Sequence, residues 1–184
     1  METFESSRLF LRPFTMADAD DVYDYARHPD VGPRCGWPVH LSRKDSLTVI
    51  TELFIPKNSE RSYAIEERAS EKVIGSASIK SMTDLRLDIP IPRFELGYVI
   101  HPDYWGRGLA AEASRCLVDD FFEKKYAKTL YCTHLDFNIQ SKRVIEKLGF
   151  LLMDQWEEYA PLLGKIHTYY IYQLTEQDWS KELT

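Results

Sequence analysis

The chain has 184 residues, 44% of them hydrophobic, with 23 Lys and Arg against 29 Asp and Glu for a net charge of −6. That length suits one packed domain over residues 1–184, and the apolar content excludes a disordered chain. The acidic balance argues against a general nucleic-acid binder, which carries a basic surface; it either favours cationic acceptors such as amines or only aids solubility.

The N-terminal METFESSRLF has neither a basic n-region nor an apolar h-region, so no signal peptide is expected. Arg8–Arg12 alternates ahead of Pro13 and predicts a first strand. Thr15 followed by Asp18 marks a helix start with an acid in its first turn, running to about Arg27 and stopping before Pro29. His28–Pro38, with Pro29, Gly32, Pro33, Gly36 and Pro38, is a loop. Ser42 caps a second helix, which buries Leu47, Ile50, Leu53 and Phe54 and ends at Ile55-Pro56-Lys57-Asn58. Ser62–Glu67 and Val73–Ile79 form a hairpin through the charged Arg68–Lys72. Lys80–Pro92, with Asp84, Asp88, Pro90 and Pro92, is an exposed loop.

Phe94, Leu96, Tyr98 and Ile100 alternate with Glu95, Gly97 and Val99, the period of a strand. His101-Pro102-Asp103 stops it. After Gly106-Arg107-Gly108, apolar residues recur at Leu109, Ala113, Cys116, Leu117 and Phe121, one helix face running to about Lys124. Thr129–His134 is a short strand, and Asn138–Lys147 is a helix closed by Gly149. Phe150–Trp156 and His167–Leu174 are the last strands, and the tail from Thr175 forms one helical turn. The order β-α-α-β-β-β-α-β-α-β-β is a mixed α/β chain. No apolar run approaches the roughly 20 residues that span a bilayer, so no membrane segment is expected.

A glycine loop opening into a helix leaves backbone N–H groups pointing outward and suits anions, phosphates above all. Gly106-Arg107-Gly108-Leu109-Ala110-Ala111 fits G-x-G-x-x-A. The dinucleotide fingerprint, however, follows its strand almost at once and carries a ribose-binding acid about 20 residues on. Here Gly106 stands six positions after Ile100, and no such acid is clear. No lysine follows Gly108, so a nucleoside-triphosphate P-loop is excluded.

ELGYVIHPDYWGRGLAAEA, with NIQSKRVIEKLGF from Asn138 to Phe150, resembles the core of the GNAT superfamily of acetyl-CoA-dependent N-acetyltransferases. Their loop reads Q/R-x-x-G-x-G/A, and Trp105–Ala110 occupies it. Tryptophan at the first position is similar to the branch containing the ribosomal-protein N-terminal (RimJ/RimL-like) acetyltransferases. The resemblance implies a single-domain GNAT fold: a mixed, mostly antiparallel central sheet with helices on both faces. Two parallel central strands, Glu95–Ile100 and Thr129–His134, would splay in a V around the pantetheine arm. It implies acetyl-CoA as co-substrate, no metal, and direct attack by a primary amine. That amine would belong to a protein N-terminus or to a small molecule such as a polyamine or aminoglycoside. A non-catalytic acyl-CoA-binding domain is the alternative. A monomer or homodimer is expected.

Acetyl transfer to an amine needs a base for the amine, donors for the thioester oxyanion and an acid for the leaving thiolate. It needs no covalent enzyme intermediate. Cys35, Cys116 and Cys132 form no CxxC pair, so neither a zinc site nor a disulfide framework is indicated, and reduced, cytoplasmic thiols are expected. By the resemblance, backbone N–H groups of Gly106, Arg107, Gly108, Leu109, Ala110 and Ala111 would hold the pyrophosphate, with the Arg107 charge beside it. Val99 and its neighbours Tyr98 and Ile100 would offer main-chain groups to the pantetheine arm and the carbonyl.

Many GNAT members read N-x-x-A-x-x-x-Y with tyrosine as general acid. Here Asn138 is kept, Ser141 replaces the alanine and Ile145 replaces the tyrosine; the serine looks like that of the ribosomal-protein branch, a resemblance that implies Ser141 as the candidate acid and Asn138 as a coenzyme contact. Glu95 is the first candidate base and His134 the second, while His101 is a turn residue. Lys142 and Arg143 are candidates for the adenosine 3′-phosphate. Trp37, Trp156 and Tyr159 are candidates for the acceptor side. Plainer roles stay open for each: a helix cap for Asn138, an exposed first-turn serine for Ser141, solvated charges for Glu95, Lys142 and Arg143, and core packing for the aromatics.

Overall fold

The computed structural model describes residues 2–55, 61–82 and 92–182. Among them, eight strands form one sheet: β1 (Phe4–Glu5), β2 (Leu9–Pro13), β3 (Arg61–Glu67), β4 (Lys72–Ser81), β5 (Phe94–Ile100), β6 (Thr129–Leu135), β7 (Leu151–Ala160) and β8 (Lys165–Thr175). Their spatial order is β1-β2-β3-β4-β5-β6-β8-β7. The helices are α1 (Ala19–Ala26), α2 (Arg43–Val49), α3 (Leu109–Glu123), α4 (Ile139–Lys147) and α5 (Glu176–Glu182).

Every neighbouring pair of strands is antiparallel except β5 and β6, which run parallel. That pair meets only at Phe94↔Leu130 and Glu95↔Tyr131, and beyond Glu95 the strands part. Cys132 marks the parting. Its buried thiol donates to the Leu96 carbonyl at 3.2 Å, where a closed ladder would supply a backbone N–H. Burial holds the thiol well above its ordinary pKa, so it keeps the proton it donates.

Alternation along the strands sorts side chains onto two cores. Leu96 and Ile100 of β5 join Ile65 and Ile74 against α3, α4 and Trp179 of α5. Ala64 and Val73, with partly buried Val99, pack against α1 and Ile50 on the other face. Arg12 anchors the start of the second layer: its guanidinium donates to both oxygens of buried Asp18 at 2.9 and 3.0 Å, and Asp18 also accepts the Thr15 N–H at 2.7 Å.

Several expectations shift. The α2 cap is as read, with Asp45 N donating to Ser42 Oγ at 3.3 Å. However, the helix widens into a π-helical turn over Ile50–Phe54, which changes the phase of the apolar stripe. Ile50 is buried, but Leu53 is 55% exposed. Lys80 and Ser81 belong to β4, opposite Glu95 and Phe94, instead of starting a loop. Residues 83–91 of that expected loop, and Pro56-Lys57-Asn58, lie outside the described residues.

The last hairpin is longer than its alternation suggests. The Ala160 carbonyl accepts from Leu163 and Gly164 N–H, and the tight turn this makes lets pairing run to Ala160↔Lys165. The tail is a seven-residue helix because the Thr175 hydroxyl accepts the Asp178 N–H at 3.1 Å and the Trp179 indole docks, donating to Asp119 at 2.8 Å and stacking on Phe122. No described helix is long and apolar enough to cross a membrane.

Candidate active site at the strand splay

A cavity of about 1120 Å³ opens where β5 and β6 diverge. Leu96–Ile100 and Cys132–His134 form its walls, the start of α3 and one face of α4 close one side, and α1, α2 and the loop around Trp37 close the other. Its floor carries Ser76, Ser78 and Lys80 of β4, beside Val99, Gly97 and Glu95 of β5 in the same register.

The open edge of β5 follows from ladder alternation. The Leu96 carbonyl meets Cys132, and the Ile100 carbonyl accepts the Trp105 indole N–H at 2.7 Å. The main chain of Tyr98, midway between them, therefore faces the splay, where no strand pairs with it. Val99, the expected contributor, has its carbonyl turned toward β4: a Cβ on Gly75 would run into it. Trp105 thus has a local reason to stand ahead of the glycines, because it caps the end of the central strand.

At the mouth of α3, Gly106 and Gly108 both take φ +76°, a region that disfavours L side chains. Gly106, Gly108, Leu109, Ala110 and Ala111 line the cavity. The helix's first backbone bond to Gly108 runs from Glu112 N, which leaves the N–H groups of Leu109, Ala110 and Ala111 at the helix's positive end. Arg107 lines no part of the cavity. It donates outward to the Asp103 carbonyl at 2.8 Å and lies over the Tyr104 ring. Cations come instead from Arg8 and Lys147, each 3.9 Å from where a Gly108 Cβ would stand, and from Arg143 on the cavity wall. Arg8 is held by Glu112 and donates to the Arg107 carbonyl at 2.9 Å. Lys142 is turned away by its place on the helix and lies 3.7 Å from Glu146. Lys147, not among the expected residues, lines the cavity one turn beyond Arg143 on the same face.

Asn138 caps α4: its side chain accepts the Ser141 N–H at 3.3 Å. It also lines the cavity, so the two roles considered for it are compatible. The Ser141 hydroxyl lies 2.9 Å from the Tyr98 hydroxyl, which is also 3.1 Å from the Ser141 carbonyl. Ile145 is fully buried in the core, away from the cavity. The family resemblance implied main-chain roles for Val99 and its neighbours, Tyr98 among them, and nothing about the Tyr98 side chain. The only available signal was a polar tip in an otherwise apolar row.

Glu95 lines the cavity on the α1/α2 side, as does Gly97 next along that face, where a Cβ would meet Ser78 Oγ at 3.4 Å. His134 is buried on the cavity wall with both ring nitrogens engaged. Nδ1 lies 2.8 Å from the Leu135 carbonyl and so donates, while Nε2 lies 3.3 Å from the Tyr172 hydroxyl. Burial lowers its pKa, so the ring is neutral and its lone pair already has a donor. His101 is a turn residue, accepting the Asp103 N–H at 3.1 Å. Of the aromatics, Trp37 lines the cavity against His40, whereas Trp156 stacks on Tyr169 and Tyr159 is exposed on β7.

Comparison with known proteins gives one consistent match. The acetyltransferase (GNAT) domain family matches residues 8–151. An uncharacterised N-acetyltransferase, p20 of Bacillus licheniformis, is 24% identical over 183 residues, which covers 98% of this chain and 99% of that protein. A GNAT-family acetyltransferase from Bacillus anthracis superposes with a TM-score of 0.82 at 20% identity, over 96% of this chain and 99% of its own. A ribosomal-protein-S5-alanine acetyltransferase from Vibrio fischeri superposes with a TM-score of 0.75 at 20% identity, over 97% and 99%. At these identities the two structures speak for the fold alone.

Proposed function

The chain belongs to the GNAT acetyltransferase family, and on that footing we propose that it moves an acetyl group from acetyl-CoA to a primary amine by direct attack in a ternary complex. One observation carries the proposal: a single cavity holds the mouth of α3, the open edge of β5 and the Ser141 hydroxyl. A diphosphate, a carbonyl and a leaving sulfur would need those three groups in that order.

In this scheme the N–H groups of Leu109, Ala110 and Ala111, with Arg8, Arg143 and Lys147 nearby, hold the diphosphate. The Tyr98 main-chain N–H faces the thioester carbonyl and stabilises charge developing on its oxygen, a contribution of roughly 3 kcal/mol in comparable sites. Glu95 takes a proton from the amine, directly or through water, and Ser141 gives one to the departing sulfur. The carboxylate and the hydroxyl approach the reacting atoms from opposite faces of β5, so the two proton transfers need not compete for one place.

The acceptor is the amine of a protein N-terminus or of a small molecule. The Vibrio fischeri protein, described as acting on an alanine of ribosomal protein S5, makes an N-terminal peptide the first acceptor to try. The test is direct: purified protein, labelled acetyl-CoA, and separate panels of N-terminal peptides, polyamines and aminoglycosides, with products weighed by mass spectrometry. A product 42 Da heavier than one amine, which is the arithmetic of acetylation, supports transfer and names the acceptor class. Coenzyme A binding with no product from any panel would make the chain a binding domain instead.

A further inference from the structure

The family's usual tyrosine acid is replaced here by Ile145, which is buried with no access to the cavity. A tyrosine hydroxyl nevertheless reaches the same helix from another element. Strand alternation puts Tyr98 on the face of Leu96 and Ile100, against the core that also holds Ile145, and its hydroxyl ends 2.9 Å from Ser141 Oγ. The two residues are 43 positions apart, so only the packing of α4 against β5 and β6 brings them together. We propose that Tyr98 is a positioning residue for the leaving-group proton: its hydroxyl donates to Ser141 Oγ and so turns the serine's own proton toward the sulfur. The proposal deepens the assignment of Ser141 as acid and rests on it.

The proton count gives the pair two arrangements. Tyr98 has one hydroxyl proton and two acceptors in reach, Ser141 Oγ at 2.9 Å and the Ser141 carbonyl at 3.1 Å. If Tyr98 donates to the carbonyl, the serine proton points back at the phenol and is lost to the cavity. If Tyr98 donates to Oγ, the serine proton is free to face the splay. In the second arrangement the thioester C–S bond breaks as the amide C–N bond forms. The serine proton passes to sulfur, Glu95 takes the amine's proton and gives it up to solvent, and solvent reprotonates the serine. Tyr98 keeps its own proton throughout, because burial strongly opposes a phenolate there. Its work is the hydrogen bond that strengthens on Oγ as the serine proton leaves.

The test is a four-variant cycle: parent, Tyr98→Phe, Ser141→Ala and the double variant, each with kcat, the KM for acetyl-CoA and the melting shift on adding coenzyme A. Tyr98→Phe should lower kcat about tenfold, a modest share of a general acid's usual effect, with the acetyl-CoA KM and the coenzyme A shift unchanged. The double variant should be no slower than Ser141→Ala, since Tyr98 acts only through the serine. Parental kcat in Tyr98→Phe, losses that multiply in the double variant, or a raised KM at parental kcat would overturn the inference while leaving Ser141 in place. Parental kcat in Ser141→Ala would overturn the Ser141 assignment and this inference with it. If the phenylalanine variant folds poorly, 3-fluorotyrosine at position 98 keeps the shape and the donor; it should retain parental kcat, and a tenfold loss there would also overturn the inference.

Discussion

At the scale of single residues, proton inventory separates the candidates. Ser141 has a hydroxyl on the cavity and a partner that can orient it. Ser141→Ala should cut kcat by about 100-fold, the lower range for a lost general acid, with coenzyme A affinity within about twofold by calorimetry. His134 is a poor base because its free lone pair already accepts from Tyr172 and its pKa is lowered by burial. Its effect should appear in stability instead. The folded state favours the neutral ring, so as pH falls below about 6.5 the unfolded chain takes a proton first. The stabilisation is full above that value and is lost as pH falls toward and through the lowered folded-state pKa. His40 shares this trend, its ring sitting 2.8 Å from Ser46 in a partly buried site. His134→Gln should therefore flatten, without abolishing, the loss of stability between pH 6.5 and about 5, measured by urea unfolding at fixed salt.

At the scale of elements, the glycine loop and α4 do different work on one ligand. A Cβ at Gly106 would meet nothing within 4 Å, and one at Gly108 only Arg8 and Lys147 at 3.9 Å. An alanine at either position is therefore disfavoured by φ alone, costing about 1 kcal/mol in stability. Binding should suffer more at Gly108, whose Cβ would stand among the groups assigned to the diphosphate. Gly108→Ala should raise the acetyl-CoA KM at least about tenfold, worth 1.4 kcal/mol, for a melting loss no larger than that of Gly106→Ala.

The loop was legible in the sequence because its demands are local: no Cβ, a helix start and a preceding strand. The α4 cap was legible for the same reason. The side of α4 that meets the cavity was legible only in part, through Asn138 and Ser141, since each residue turns the helix by about 100° and only packing sets the zero. Of the expected pair Lys142 and Arg143, Arg143 lines the cavity, together with Lys147, and Lys142 does not. Leu53 failed in the same way, at a widened turn no pattern announced, and Tyr98's partner was hidden by 43 intervening residues.

At the scale of the whole molecule, a net charge of −6 and a proposed polyanionic ligand are in tension. The fold brings Arg8, just ahead of β2, and Lys147 of α4 to the mouth of α3, and sets Arg143 of α4 on the wall of the same cavity. No stretch of sequence announces this cluster, since its members come from opposite ends of the chain. Two consequences are measurable together. Coenzyme A at 100 times its dissociation constant should add about 2.7 kcal/mol to the folded state, or roughly 5–10 °C in melting temperature for a chain of this length. NAD at the same concentration should add nothing measurable, because the strand-to-loop spacing is wrong for a dinucleotide. With coenzyme A held constant, the shift should shrink as salt rises from about 0.05 to 0.5 M, since mobile ions screen exposed phosphate contacts. In an Arg143→Ala, Lys147→Ala double variant the shift should be smaller at low salt and fall less steeply with salt, Arg8 remaining in place. A coenzyme A shift of parental size and salt dependence in that variant would mean that the phosphates lie elsewhere.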